Sequence, residues 1–156
     1  MFRALLLGAV AGAAGNVALE VVTYGDMLVR GRGASDVPAK MAGALADALG
    51  IDPLLTRKTG KTAENRRGAT GALLGYGLGV GLGGVYGLLR PVLGRAPTPL
   101  TGLAVGLVAM TVSDASYALT GASDPTTWTT TDWLADLVPH VIYGLVTIAT
   151  YELVSR

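Results

Sequence analysis

The chain has no cysteine, one histidine and one phenylalanine, and only 15% of its residues are charged. Each shortage excludes something. Without cysteine there are no disulfides, no thiolate nucleophile and no cysteine-based metal site. A single histidine argues against a bis-imidazole haem. The twelve basic and eleven acidic residues leave a net charge of +1. No basic stripe interleaves with aromatics, so nucleic acid is not an expected partner. An ordinary soluble domain carries about 25% charged residues. Here the charges are fewer, and they gather between long apolar runs.

What is abundant is glycine and aliphatic side chain. There are 23 glycines in 156 residues, 51% of the chain is hydrophobic, and the mean hydropathy is +0.50. Gly71, Gly75, Gly79, Gly83 and Gly87 recur at four-residue spacing, with no charge before Arg90. In water such a helix is poor, because each interior glycine costs about 1 kcal/mol relative to alanine. In lipid no water competes for the backbone, and helix is close to obligatory for a spanning segment. A glycine row then becomes a flat ridge along which another helix approaches closely.

Four such spans are expected, over about 2–24, 68–89, 99–119 and 133–154. Each approaches or exceeds the ~20 residues that cross a hydrocarbon core of ~30 Å. The first apolar stretch runs past Val22, longer than the roughly 7–15-residue core of a signal peptide. Arg90-Pro91 closes the second span, and Thr98-Pro99 opens the third with a hydroxyl cap followed by proline. Thr62 is a fair cap for a helix that enters the membrane near Gly68. In the third span Gly102 and Gly106 repeat the four-residue spacing. Trp128 and Trp133 fit an interfacial aromatic belt. Pro139 removes one helix hydrogen bond from the fourth span.

The first loop holds a shorter segment. Ser35-Asp36-Val37-Pro38 is a helix start and Gly50 a stop. Over 37–49, Val37, Met41, Leu45 and Leu49 share a row. This predicts an amphipathic helix at the membrane interface or capping the bundle, too short to span. The expected fold class is therefore all-α: a four-transmembrane-helix bundle with glycine-seam packing and a short interfacial helix, one domain over 1–156.

Ionisable residues inside spans are rare and expensive. Glu20, Asp114 and His140 sit on small-residue rows, and alternating span direction brings all three toward one side of the membrane. Asp136 and Tyr117 belong to the same half, and Tyr24 and Tyr143 can line it. These residues predict a polar cluster with three possible roles: structural pairing, proton or small-solute handling, and a metal or catalytic site. The first takes precedence. No His-Glu-x-x-His pattern is present and no Ser/Asp/His triad can be assembled. No catalytic residue, metal or cofactor is expected, and the protein is not expected to be an enzyme. Tyr76 and Tyr86 read as packing residues, and Glu152 as an exposed charge.

The order of elements carries a resemblance. A small-residue first span ends in an acid, and a long loop and a glycine-rich span follow. Then come the Gly102-to-Gly106 span, the Gly121-to-Pro125 loop and a last span with Pro139-His140 and Tyr143-Gly144. Over most of its length the chain resembles the YagU-like group of small bacterial inner-membrane proteins of unknown function. That resemblance implies a multi-pass protein of the bacterial cytoplasmic membrane, with no activity and no catalytic residues attached. The expected partners are the lipid bilayer and either further copies or a larger membrane complex. Eight basic residues in the first loop (Arg30, Arg32, Lys40, Arg57, Lys58, Lys61, Arg66 and Arg67) favour a cytoplasmic first loop. The absence of Lys and Arg from the third loop points the other way.

Overall fold

The computed structural model describes residues 1–50, 60–93 and 97–156. Arg57, Lys58 and Arg95 lie outside the described residues. The elements run α1 (Phe2–Arg30), α2 (Val37–Leu49), α3 (Lys61–Leu89), α4 (Thr98–Leu119), a 3-10 turn over Pro125–Thr127, and α5 (Thr130–Val154). There is no strand among the described residues. Helices α1, α3, α4 and α5 have 29, 29, 22 and 25 residues and are long and apolar enough to cross a membrane. At 1.5 Å per residue the shortest is about 33 Å long.

The ends have local causes. Gly31 and Gly50 take left-handed φ values of 64° and 62° after α1 and α2, where a side chain would be strained. Gly60, at φ 88°, precedes α3, and its carbonyl accepts the amides of Ala63 and Glu64. So α3 starts at Lys61, and Thr62 is inside the helix rather than its cap. At α5, Thr129 and Asp132 form a capping box: each side chain accepts the other residue's backbone N–H. This satisfies two amides that the helix itself leaves open. α5 stays helical through Pro139, which is buried.

Backbone contacts group the chain into two units, Met1–Arg32 with Tyr76–Thr111 and Thr129–Arg156, and Gly33–Gly75 with Val112–Trp128. In the first unit, α1 and the Tyr76–Leu89 part of α3 approach until their backbones touch. A Cβ on Gly8 would overlap the Gly83 carbonyl, one on Gly12 the Gly79 carbonyl, and one on Gly87 the Ala4 carbonyl. Residues 4, 8 and 12 thus meet 87, 83 and 79, so the helices are antiparallel. The start of α4 meets α5 in the same manner. A Cβ on Gly102 would stand 2.8 Å from the Leu145 Cα, and one on Gly106 3.0 Å from the Val141 Cα. These two helices are also antiparallel. α3 and α5 run in the same direction, joined by hydrogen bonds from the Tyr143 hydroxyl to the Gly79 carbonyl (2.6 Å) and from the Tyr151 hydroxyl to the Gly87 carbonyl (3.4 Å). Chain direction therefore alternates from each long helix to the next, as successive membrane passages require.

The buried cluster of this unit is Ala11, Tyr86, Ile148 and Tyr151, flanked by Leu7 and Val105. The Tyr86 and Tyr151 rings meet edge to face with centroids 5.2 Å apart, a favoured aromatic arrangement. Large apolar side chains of this unit such as Val10, Val17, Leu100, Leu103 and Leu107 are exposed. In water such an array would be an aggregation hazard, whereas in a bilayer it is the surface that lipid solvates.

In the second unit α2 packs on the start of α3. A Cβ on Gly71 would overlap the Pro38 carbonyl, and one on Gly43 would stand 3.5 Å from the Arg67 Nε. Met41, Ala42 and Ala46 are buried, as are Ala63 and Ala122. Of the apolar row foreseen on α2, Met41 is turned into protein, Val37 and Leu45 are half-buried, and Leu49 is exposed. The loop after α4 is held by Asp124, whose carboxylate accepts the Thr126 amide at 2.9 Å and the Thr126 hydroxyl at 2.6 Å. These bonds, the hydroxyl's first, hold the Asp124 carboxyl below its ordinary value of 3.8. The Trp128 indole N–H donates to the Ser123 hydroxyl at 3.0 Å.

Candidate functional site

Glu20, Asp136 and His140 lie in the first unit, and Asp114 and Tyr117 in the second. Asp136 and His140 are one turn apart on α5, so the 3.6-residue period puts them on one face. The His140 Nδ1 is 2.8 Å from the Asp136 backbone oxygen and 3.5 Å from its Oδ1. Both side chains are largely shielded, 14% exposed for His140 and 23% for Asp136. The Asp136 Oδ2 is buried with no hydrogen-bond partner.

Glu20 is committed elsewhere. Its carboxylate accepts a hydrogen bond from the Tyr76 hydroxyl of α3 at 2.5 Å. One turn earlier on α1, the Asn16 side-chain amide donates to the Tyr76 carbonyl at 3.0 Å. Asn16 is buried, and its side chain fills the space where Gly79 has no Cβ. Tyr76 is thus held at both its backbone and its phenol by two residues of α1.

In the second unit the Tyr117 carbonyl closes the end of α4, accepting the amides of Ala122 at 2.9 Å and Ser123 at 3.3 Å. Asp114, three residues before it, is half-buried. Among the described residues no three His, Asp or Glu side chains converge as a metal site would require.

Two roles went unread in the sequence. Glu152 is not a free surface charge: it pairs with the Arg90 Nε at 2.6 Å, both side chains being about two-thirds or more shielded. Tyr76 is a hydrogen-bond donor to the Glu20 carboxylate rather than packing alone. Neither had a local signal, since the partners are 62 and 56 residues apart. For Tyr76 the available clue was its mid-span position in a run whose other members are almost all aliphatic or glycine.

The site residues are thus two separate arrangements in the first unit, an Asp–His pair within α5 and a Glu–Tyr pair between α1 and α3, with Asp114 and Tyr117 in the second unit. No family model matches the chain, and neither a curated protein nor a solved structure matches it.

Proposed function

We propose that this is a multi-pass protein of the bacterial cytoplasmic membrane, akin to the YagU-like group. On this reading it serves as a structural or interaction component of the membrane and not as an enzyme. The observation that carries the reading is the run of backbone contacts Ala4–Gly87, Gly8–Gly83 and Gly12–Gly79 between α1 and α3, with Gly102 and Gly106 against α5. Lipid tails are as apolar as leucine, so helices in a bilayer associate through close packing and interhelical hydrogen bonds. Glycine at these positions is the residue such packing requires. On this reading the glycines form the seam of the bundle, and α2 lies at its membrane interface.

The test is complementation in cells lacking the protein. Asp114→Asn, Asp136→Asn and His140→Gln keep hydrogen-bonding capacity and should restore the wild-type membrane phenotype. Gly79→Leu should not. Polar variants that fold but fail to complement would overturn the structural role in favour of proton or small-solute handling.

A further inference from the structure

An ionised carboxylate within a span has three ways to offset the loss of water: a basic partner, a set of hydrogen-bond donors, or a bound cation. Glu20 has no Lys or Arg partner among the described residues, and one hydrogen-bond donor, the Tyr76 hydroxyl. It lies about 15 Å along the α1 axis from the Arg30 end, within the apolar helix.

The surroundings narrow what fits. Tyr24 is one turn beyond Glu20 on the same face of α1. Both residues are exposed, Tyr24 59% and Tyr76 39%. One carboxylate and two exposed tyrosines make a poor cage for a small hydrated metal ion, which wants several oxygen ligands. They suit a weakly hydrated cation whose charge is spread over an apolar body. Such a cation sheds its water cheaply, takes the carboxylate as counter-charge and is held by the faces of the rings.

We propose that Glu20, Tyr24 and Tyr76 form a binding site for a monovalent organic cation with an apolar body, of the quaternary ammonium or phosphonium type. Glu20 supplies the charge. Tyr76 orients that carboxylate and, like Tyr24, presents an aromatic face. Asn16 fixes Tyr76 by holding its backbone carbonyl. The site opens on the outer surface of the α1–α3 pair, so its ligand arrives from the lipid phase. This goes beyond the structural role and does not depend on it.

The probe is tetraphenylphosphonium, titrated by calorimetry into the full chain in detergent micelles. Wild type should bind it saturably with a 1:1 stoichiometry. Glu20→Gln should lower the affinity at least about tenfold, and Tyr24→Leu about three- to tenfold. Leu28→Ala, on α1 but outside the site, should leave it unchanged. Circular dichroism and thermal unfolding of each variant check the fold. Should Glu20→Gln fail to fold, Glu20→Asp keeps the charge and draws it back, and a several-fold weakening reads the same interaction. Three outcomes would overturn the proposal: no saturable binding to wild type, equal binding by the Glu20 variants, or a signal that scales with detergent alone. A fourth is cross-linking of Tyr24→Cys into dimers that exclude the probe, which would make a second copy the occupant.

Discussion

The two parts of α3 use the same residue differently. From Tyr76 onward, in the first unit, Gly79, Gly83 and Gly87 stand where any side chain would collide with α1. Before it, in the second unit, a Cβ on Gly71 would overlap the Pro38 carbonyl, while Gly75, on the same row, has nothing within 4 Å of an added Cβ. One four-residue spacing therefore covers two physical situations. Where backbone meets backbone, glycine is a steric requirement. Where the neighbouring space is open, it is a concession in helix propensity of about 1 kcal/mol. Periodicity reports that a row lies on one face and says nothing about what the face touches.

The largest effect that separates the two situations comes from adding bulk. At Gly83 a new Cβ would overlap the Gly8 carbonyl and stand 2.7 Å from the backbone N and Cα of Gly12. None of these atoms belongs to a flexible side chain that can turn away. Overpacking a well-filled site costs about 1–3 kcal/mol or more, and here two helix axes must separate. Gly83→Leu should lower the unfolding midpoint in detergent steeply or abolish the folded state. Gly75→Leu should leave the midpoint unchanged or raise it slightly through better propensity. Equal losses at the two positions would erase the distinction.

The four long helices were legible because their boundaries are chemical. Arg90-Pro91 ends one apolar run and Thr98-Pro99 begins the next, and α3 and α4 end and start at those places. The short α2 was legible for the same reason, from Asp36, Pro38 and Gly50. Its burial was less so. Its apolar row fitted either the membrane interface or a cap on the bundle, and Met41 is covered by protein; an apolar stripe does not specify whether lipid or a neighbouring helix covers it. Site partners were the least legible. Asp136 and His140 share a helix turn, so spacing alone puts them on one face. Glu20 with Tyr76 and Arg90 with Glu152 depend on which helices become neighbours, and no local spacing states that.

A smaller effect tests the hydrogen bonds that accompany close backbone approach in the first unit. Tyr143 is buried, and its hydroxyl donates to the Gly79 carbonyl at 2.6 Å. Tyr151, eight residues on, reaches the Gly87 carbonyl at 3.4 Å. Both carbonyls belong to glycines, and the missing side chain is what lets a phenol come alongside the helix. Removing one such hydroxyl should cost about 1 kcal/mol. Tyr143→Phe should therefore lower stability measurably, and Tyr151→Phe less, because its bond is longer and weaker. An equal or larger loss at Tyr151 would show that the hydroxyl-to-carbonyl distance does not rank these two bonds.

The smallest effect belongs to the second unit, where local polar bonds hold the chain. Asp124 accepts both the amide and the hydroxyl of Thr126, and these bonds keep its carboxyl below 3.8. A depressed value means that the folded loop binds the ionised form better than the unfolded chain does. The contribution is thus complete above pH 3.8 and is lost as pH falls through the depressed folded value. The group is fully exposed, so the change should stay within the loop and leave the helices intact. Trp128 follows the loop directly and bonds to Ser123, which makes it the reporter once Trp133 has been replaced by Phe. Its emission should be flat from neutral pH down to about 4 and shift below that. Asp124→Asn keeps one acceptor oxygen for Thr126 but cannot titrate, so it should hold the flat signal through the acid range. A midpoint well above 3.8 in the wild type, or the same acid shift in the Asn variant, would assign the loop's order to something other than this carboxylate.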